Sequence, residues 1–178
     1  DLRGAQVKLD EIKTTPKSVG DALTAEDRSK IISDIYNGNF VHQGEDIVTL
    51  AGSPSIINGD FRLDSNKIED FVGAPEQVNG DVQLQNNKLR SLKDIHKHLK
   101  HIAGELYLDD NYIKSHVLGL LKISGLKKVY FCPEDLPYPD IRISKVEKII
   151  NKHLAGDRNL LACQEELLDA GLDTFAQL

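Results

Sequence analysis

Three histidines, His96, His98 and His101, stand close together among lysines, and a histidine cluster is the first place to look for a metal. On a helix His96 and His98 lie about 200° apart, and none of the pairs has the i, i+4 spacing of a helical zinc site. The cluster therefore reads as a hydrated face, with no metal expected. The carboxylates Asp60, Asp64, Asp81, Asp109 and Asp110 are the right type for calcium, but they lack the Gly-and-Asp nonapeptide pattern of calcium-binding solenoids. No Gly-rich phosphate loop, nucleophile elbow or paired metal motif occurs, so neither an enzyme nor a cofactor is expected. Lys88, Arg90, Lys93, Lys97 and Lys100 face only Asp94 and form one basic strip. A net charge of −6 opposes binding to a polyanion as a whole, which leaves RNA contact through that strip as the alternative function.

The elements that carry these residues repeat. Gly59-Asp-Phe-Arg-Leu-Asp-Ser-Asn-Lys-Ile68, Gly80-Asp-Val-Gln-Leu-Gln-Asn-Asn-Lys-Leu89 and Gly104-Glu-Leu-Tyr-Leu-Asp-Asp-Asn-Tyr-Ile113 share one register and start 21 and 24 residues apart. Phe61 and Leu63, Val82 and Leu84, and Leu106 and Leu108 alternate inward as short strands, with one residue between each pair pointing out. Asn66, Asn87 and Asn111 close the strands, each offering two donors and an acceptor to backbone groups in the turn. Ile68, Leu89 and Ile113 return the chain to the core. No single copy can bury its apolar edge, so the copies must stack.

These copies resemble leucine-rich repeats, whose period is roughly 20 to 29 residues and whose core reads L-x-L-x-x-N-x-L. Gly73-Ala-Pro-Glu-Gln-Val-Asn-Gly-Asp81, followed by Asn86-Asn-Lys-Leu-Arg-Ser-Leu92, is similar to the short repeat proteins encoded by tailed phages. The resemblance covers about 40 per cent of the chain and specifies fold better than function. It implies a phage protein that engages a host component in the cytoplasm or is carried in the virion. The absence of any Met adds a further alternative, a processed product or a fragment of a larger structural virion protein.

The expected class is α/β: a short right-handed leucine-rich-repeat-like solenoid with a parallel sheet of four or five strands, flanked by N-terminal and C-terminal helices. Its divisions are 1–39 (N-terminal segment and helical cap), 40–131 (solenoid) and 132–178 (C-terminal helical cap or appendage). Ala5, Val7, Leu9 and Ile12 suggest an edge strand ahead of Pro16. Thr24 reads as the N-cap of a helix of about 12 residues through Ile31, Ile32, Ile35 and Tyr36. Phe40 to Asn58 reads as a degraded first coil, and Pro54 and Pro75 as marks of extended returns on the convex side. Ile95, Leu99 and Ile102 suggest a helical return, Val117 to Ile123 an apolar one, and Leu126 to Phe131 a last strand. Pro133 to Pro139 stops the sheet. Ser144 and Glu147 form a capping box for one helix, and Asp157 caps a second that Gly171 ends.

No apolar run reaches the roughly 20 residues of a membrane span. Cys132 and Cys163 are too few for a disulfide scaffold and read as reduced core thiols. What remains is the outward side of the sheet. Arg62, Gln83, Tyr107 and Tyr130 form a row there, flanked by Asp60, Asp81 and Glu105 on one side and by Asp64, Gln85 and Asp109 on the other. Two tyrosines, an arginine and many acids suit a protein partner with a basic surface. Tyr107, set between inward Leu106 and Leu108, is expected to leave its ring in water.

Overall fold

Stacked repeats satisfy their backbone by bonding coil to coil, and β-branched and aromatic residues stand where this chain does so. The computed structural model describes residues 17–132 and 140–178. In it β1 (Ile31–Ile32), β2 (Ile35–Asn37), β3 (Phe40–Val41), β4 (Ile56–Asn58), β5 (Phe61–Arg62), β6 (Gln77–Val78), β7 (Val82–Gln83), β8 (His101–Ile102), β9 (Leu106–Tyr107) and β10 (Val129–Tyr130) form two sheets. The repeat sheet runs β3-β5-β7-β9-β10 and is entirely parallel. The return sheet runs β1-β2-β4-β6-β8 and is parallel except for the β1–β2 hairpin. The chain thus winds as an α/β solenoid of about five turns, one strand of the repeat sheet to each.

The core lies between the sheets. Phe40, Phe61, Val82, Leu106 and Val129 form one column, and Tyr36, Ile57, Val78 and Ile102 answer it from the return strands, all buried. Each such side chain contributes roughly 1.5–3 kcal/mol of burial. The asparagines tie neighbouring coils together. Asn87 accepts from Ile68 N (3.0 Å) with its Oδ1, and its Nδ2 donates to Leu63 O (3.0 Å), Leu84 O (3.1 Å) and Gln85 O (3.3 Å). Asn66 and Asn111 repeat the arrangement one coil before and one after.

Between the sheets, Asp60 Oδ1 accepts from Asp81 N (2.9 Å) and Asp81 Oδ1 from Glu105 N (2.8 Å). The coils approach so closely there that a Cβ on Gly80 would lie 2.6 Å from Gly59 O, which excludes any side chain. The Gly-Asp pairs are therefore coil-to-coil contacts.

The ends depart from expectation in detail. α1 (Val19–Ala22) and α2 (Ala25–Lys30) both carry capping boxes, from Ser18 and Asp21 and from Thr24 and Asp27. The 12-residue helix is not formed: α2 ends after six residues, and Ile31, Ile32, Ile35 and Tyr36 pair in the β1–β2 hairpin. Ser33 and Asp34 turn it with φ of 53° and 64°, the left-handed pair that a two-residue hairpin needs.

α3 (Ile95–His98) is a single turn, and Ile102 belongs to β8 rather than to that helix. α4 (Ile141–Ala155) starts three residues before the expected box, because Asp140 caps it by accepting from Arg142 N (2.9 Å). α5 (Leu160–Asp169) is capped by Asn159, not Asp157.

Freed from capping, Glu147 accepts from Phe131 N (2.7 Å) and Cys132 N (3.1 Å), and Asn151 exchanges two 2.8 Å bonds with Val129 N and O. One face of α4 thus takes the place of a further strand on β10. The edge strand expected at Ala5–Ile12 and the stop at Pro133–Pro139 lie outside the described residues. Among the described residues no helix is long and apolar enough to cross a membrane.

Candidate protein-binding face

The parallel register aligns Val41, Arg62, Gln83, Tyr107 and Tyr130 across the outward side of the repeat sheet. The four residues expected to form a row do so, and Val41, 43% exposed, extends it to the first coil.

Neighbouring strands lie about 4.7–4.9 Å apart, which is also the spacing of stacked rings. Tyr107 and Tyr130 accordingly stack with centroids 4.7 Å apart and planes 7° from parallel. Both hydroxyls donate to Glu105 Oε2, at 2.8 Å from Tyr107 and 3.2 Å from Tyr130. The Glu105 bond, with burial second, pushes the Tyr107 phenol well above its ordinary value. Lys128 Nζ covers the ring of Tyr130 at 4.4 Å. The expectation that the Tyr107 ring stands in water without an intramolecular contact is therefore corrected. Each Tyr turns a face to its twin, and the pair is half-buried and held rigid.

The two flanks differ. Arg62 Nη2 donates to Asp60 Oδ2 at 2.6 Å. Burial works against the Asp60 carboxylate, yet the Asp81 amide and Arg62 hold it below the ordinary range. Asp60 and Asp81 are thus part of the fold as well as of the surface. On the opposite flank Asp64 accepts from Gln43 Nε2, and Asp109 forms no ion pair among the described residues. Burial pushes the Asp109 carboxyl up, and Asp110, Glu147 and Asp64 add to this. Two buried atoms in and beside the row, Arg62 Nε and Gln85 Oε1, have no hydrogen-bond partner among the described residues.

The basic strip is more compensated than the sequence suggested. Lys97 pairs with Asp94 at 2.8 Å, and Lys100 pairs with Glu76 of the preceding coil at 2.9 Å. The histidines diverge. His101 Nδ1 bonds Ser124 Oγ at 2.8 Å, while His96 packs so tightly that a Cβ on Gly119 would lie 2.8 Å from its Nδ1. Among the described residues no group of three His, Cys, Asp or Glu could hold a metal ion. Cys163 is a buried free thiol, pushed up to about 11 by burial, whereas Cys132 is only half-buried.

Val41 and Lys128 join the face beyond the residues read from sequence. The signal for Lys128 was its place two residues before Tyr130, on the same face of the chain. No protein-family model, curated protein or solved structure matches the chain.

Proposed function

We propose that the outward face of the repeat sheet, with Arg62, Asp64, Gln83, Gln85, Tyr107, Asp109 and Tyr130, docks a protein partner with a basic surface, and that the protein works without catalysing a reaction. The observation that carries this reading is the Tyr107–Tyr130 stack. It is a preformed aromatic ridge on a flat sheet, so binding does not have to order it. Aromatic and Arg side chains anchor interfaces, and the Asp64–Asp109 flank, which has no ion pair among the described residues, supplies negative charge for steering. The stack takes one face of each ring and Lys128 covers Tyr130, which leaves the ring edges and the other face of Tyr107 for the partner.

The resemblance of the Gly-Ala-Pro and Asn-Asn-Lys-Leu phrases to leucine-rich repeats of tailed phages supports placing the protein in a phage, where it engages a host component or travels in the particle. A photo-crosslinking residue at Gln83, and a second at Lys93 on the basic strip, tests the reading in bacterial lysate. Crosslinks from position 83 to a basic protein are expected. Crosslinks from position 93 alone, or to RNA, overturn it.

A further inference from the structure

The N-terminal end of the solenoid is closed by a buried histidine. His42 follows β3, is 3% exposed, and has a carboxylate on each ring nitrogen. Its Nε2 lies 2.9 Å from Asp27 Oδ2 of α2, and its Nδ1 lies 2.8 Å from Glu45 Oε1. Asp27 is itself fully engaged: Oδ1 accepts from Tyr36 Oη of β2 (3.0 Å), and Oδ2 accepts from Thr24 N (2.9 Å) and Thr24 Oγ1 (2.8 Å). Glu45 is engaged as well, pairing through Oε2 with Lys17 at 3.3 Å. On the core side the imidazole packs against the Phe40 ring at 4.9 Å. Its backbone N–H donates to Arg62 O of β5, and its carbonyl accepts from Asn66 Nδ2. Lys30 lies 6.0 Å over the ring of Tyr36 and pairs with Glu26 at 2.8 Å, and Arg28 Nη2 reaches Gly20 O at 3.5 Å.

An ionised carboxylate only accepts hydrogen bonds, and a neutral imidazole has only one N–H to donate. Two carboxylates on opposite nitrogens are therefore both satisfied only by the doubly protonated ring. We propose that His42 is held as an imidazolium and acts as a pH-sensitive clamp that fastens α2 and the β1–β2 hairpin onto the first coil. The clamp is complete at lower pH and is lost as the pH rises far enough to strip the ring. At that point a nitrogen lone pair faces a carboxylate oxygen across an ordinary hydrogen-bond length, and the end cap, Tyr36 with it, loosens from Phe40.

Two measurements on the full chain test the clamp. In long-range proton–nitrogen NMR of the imidazoles at about pH 7.5, both nitrogens of His42 should report as protonated. A bare nitrogen at either position in the folded protein overturns the proposal. In thermal melts, the wild type should lose stability as the pH rises through the alkaline range. Glu45→Gln should lose markedly less, because the carboxamide can donate to an unprotonated Nδ1. His42→Asn, if it folds, should show no such alkaline loss. Equal alkaline loss in wild type and Glu45→Gln also overturns the clamp, since a merely structural Glu45 would leave the pH profile unchanged.

Discussion

Asn87 shows what one residue does here. Its side chain is 1% exposed and satisfies backbone groups of two successive coils that no ladder reaches. Asn87→Ala leaves Ile68 N buried without its partner and takes one of two donors from Leu63 O, which keeps Asn66 Nδ2, so it should cost on the order of 1–3 kcal/mol. Urea unfolding checks this; a cost below about 0.5 kcal/mol would mean that the turn supports itself. Tyr107→Ala is the contrasting change. It removes a stacked ring, worth roughly 0.5–1.5 kcal/mol, from a half-buried pair, so stability should fall modestly while the fold persists. The asparagines and the row were legible because a period of two and a fixed repeat register determine which way each residue points. The stack was not: the pattern shows that Tyr107 and Tyr130 are neighbours, but not that their hydroxyls share Glu105.

Between residues, local pattern and tertiary context compete. Ile31, Ile32, Ile35 and Tyr36 fit a helical face at i, i+1, i+4 and i+5, yet they also fit a hairpin with two turn residues. Parallel pairing of β2 with β4 decides in favour of the hairpin, and that partner lies 21 residues away in sequence. The same holds at the other end, where Ser144 and Glu147 match a capping box while Glu147 is needed at the open edge of β10. Asn151→Leu keeps α4 helical and removes both bonds to Val129, so it should destabilise the protein by about 1–3 kcal/mol. Faster hydrogen exchange at Val129 would accompany that loss; unchanged exchange there would count against the cap.

Asp27 supplies the acid limit of the N-terminal cap. Burial raises its carboxyl, but bonds from Thr24, Tyr36 and His42 outweigh this and hold it below the ordinary range. A depressed carboxylate contributes stability at pH above its unfolded value, and that stability disappears as the pH falls through the folded value. Melts below about pH 4 should therefore show a loss that Asp27→Asn reduces.

At the scale of the whole molecule, three recognisable repeats were enough to specify an α/β stack with a parallel sheet. The return sheet was less legible, because its strands of two or three residues carry one inward apolar side chain each and so show no alternation. The coils depend on one another, so a cavity in the middle should be felt throughout. Leu84→Ala is expected to cost about 2–5 kcal/mol and to lower a single cooperative transition.

The functional claim is also a claim about the whole molecule, because the row crosses every coil, from Val41 to Tyr130, while Lys93, Lys97 and Lys100 lie on the return segment between β7 and β8. The most direct test is the dissociation constant of the crosslinked partner, measured by calorimetry for two variants that keep the wild-type circular dichroism. One carries Tyr107→Ala and Tyr130→Ala, and the other carries Lys93→Ala, Lys97→Ala and Lys100→Ala. Removing the tyrosines should weaken binding by about tenfold or more, equivalent to at least ~1.4 kcal/mol, and removing the lysines should leave it within about twofold. Unchanged affinity without the tyrosines, together with lost affinity without the lysines, would contradict the assignment of the sheet face.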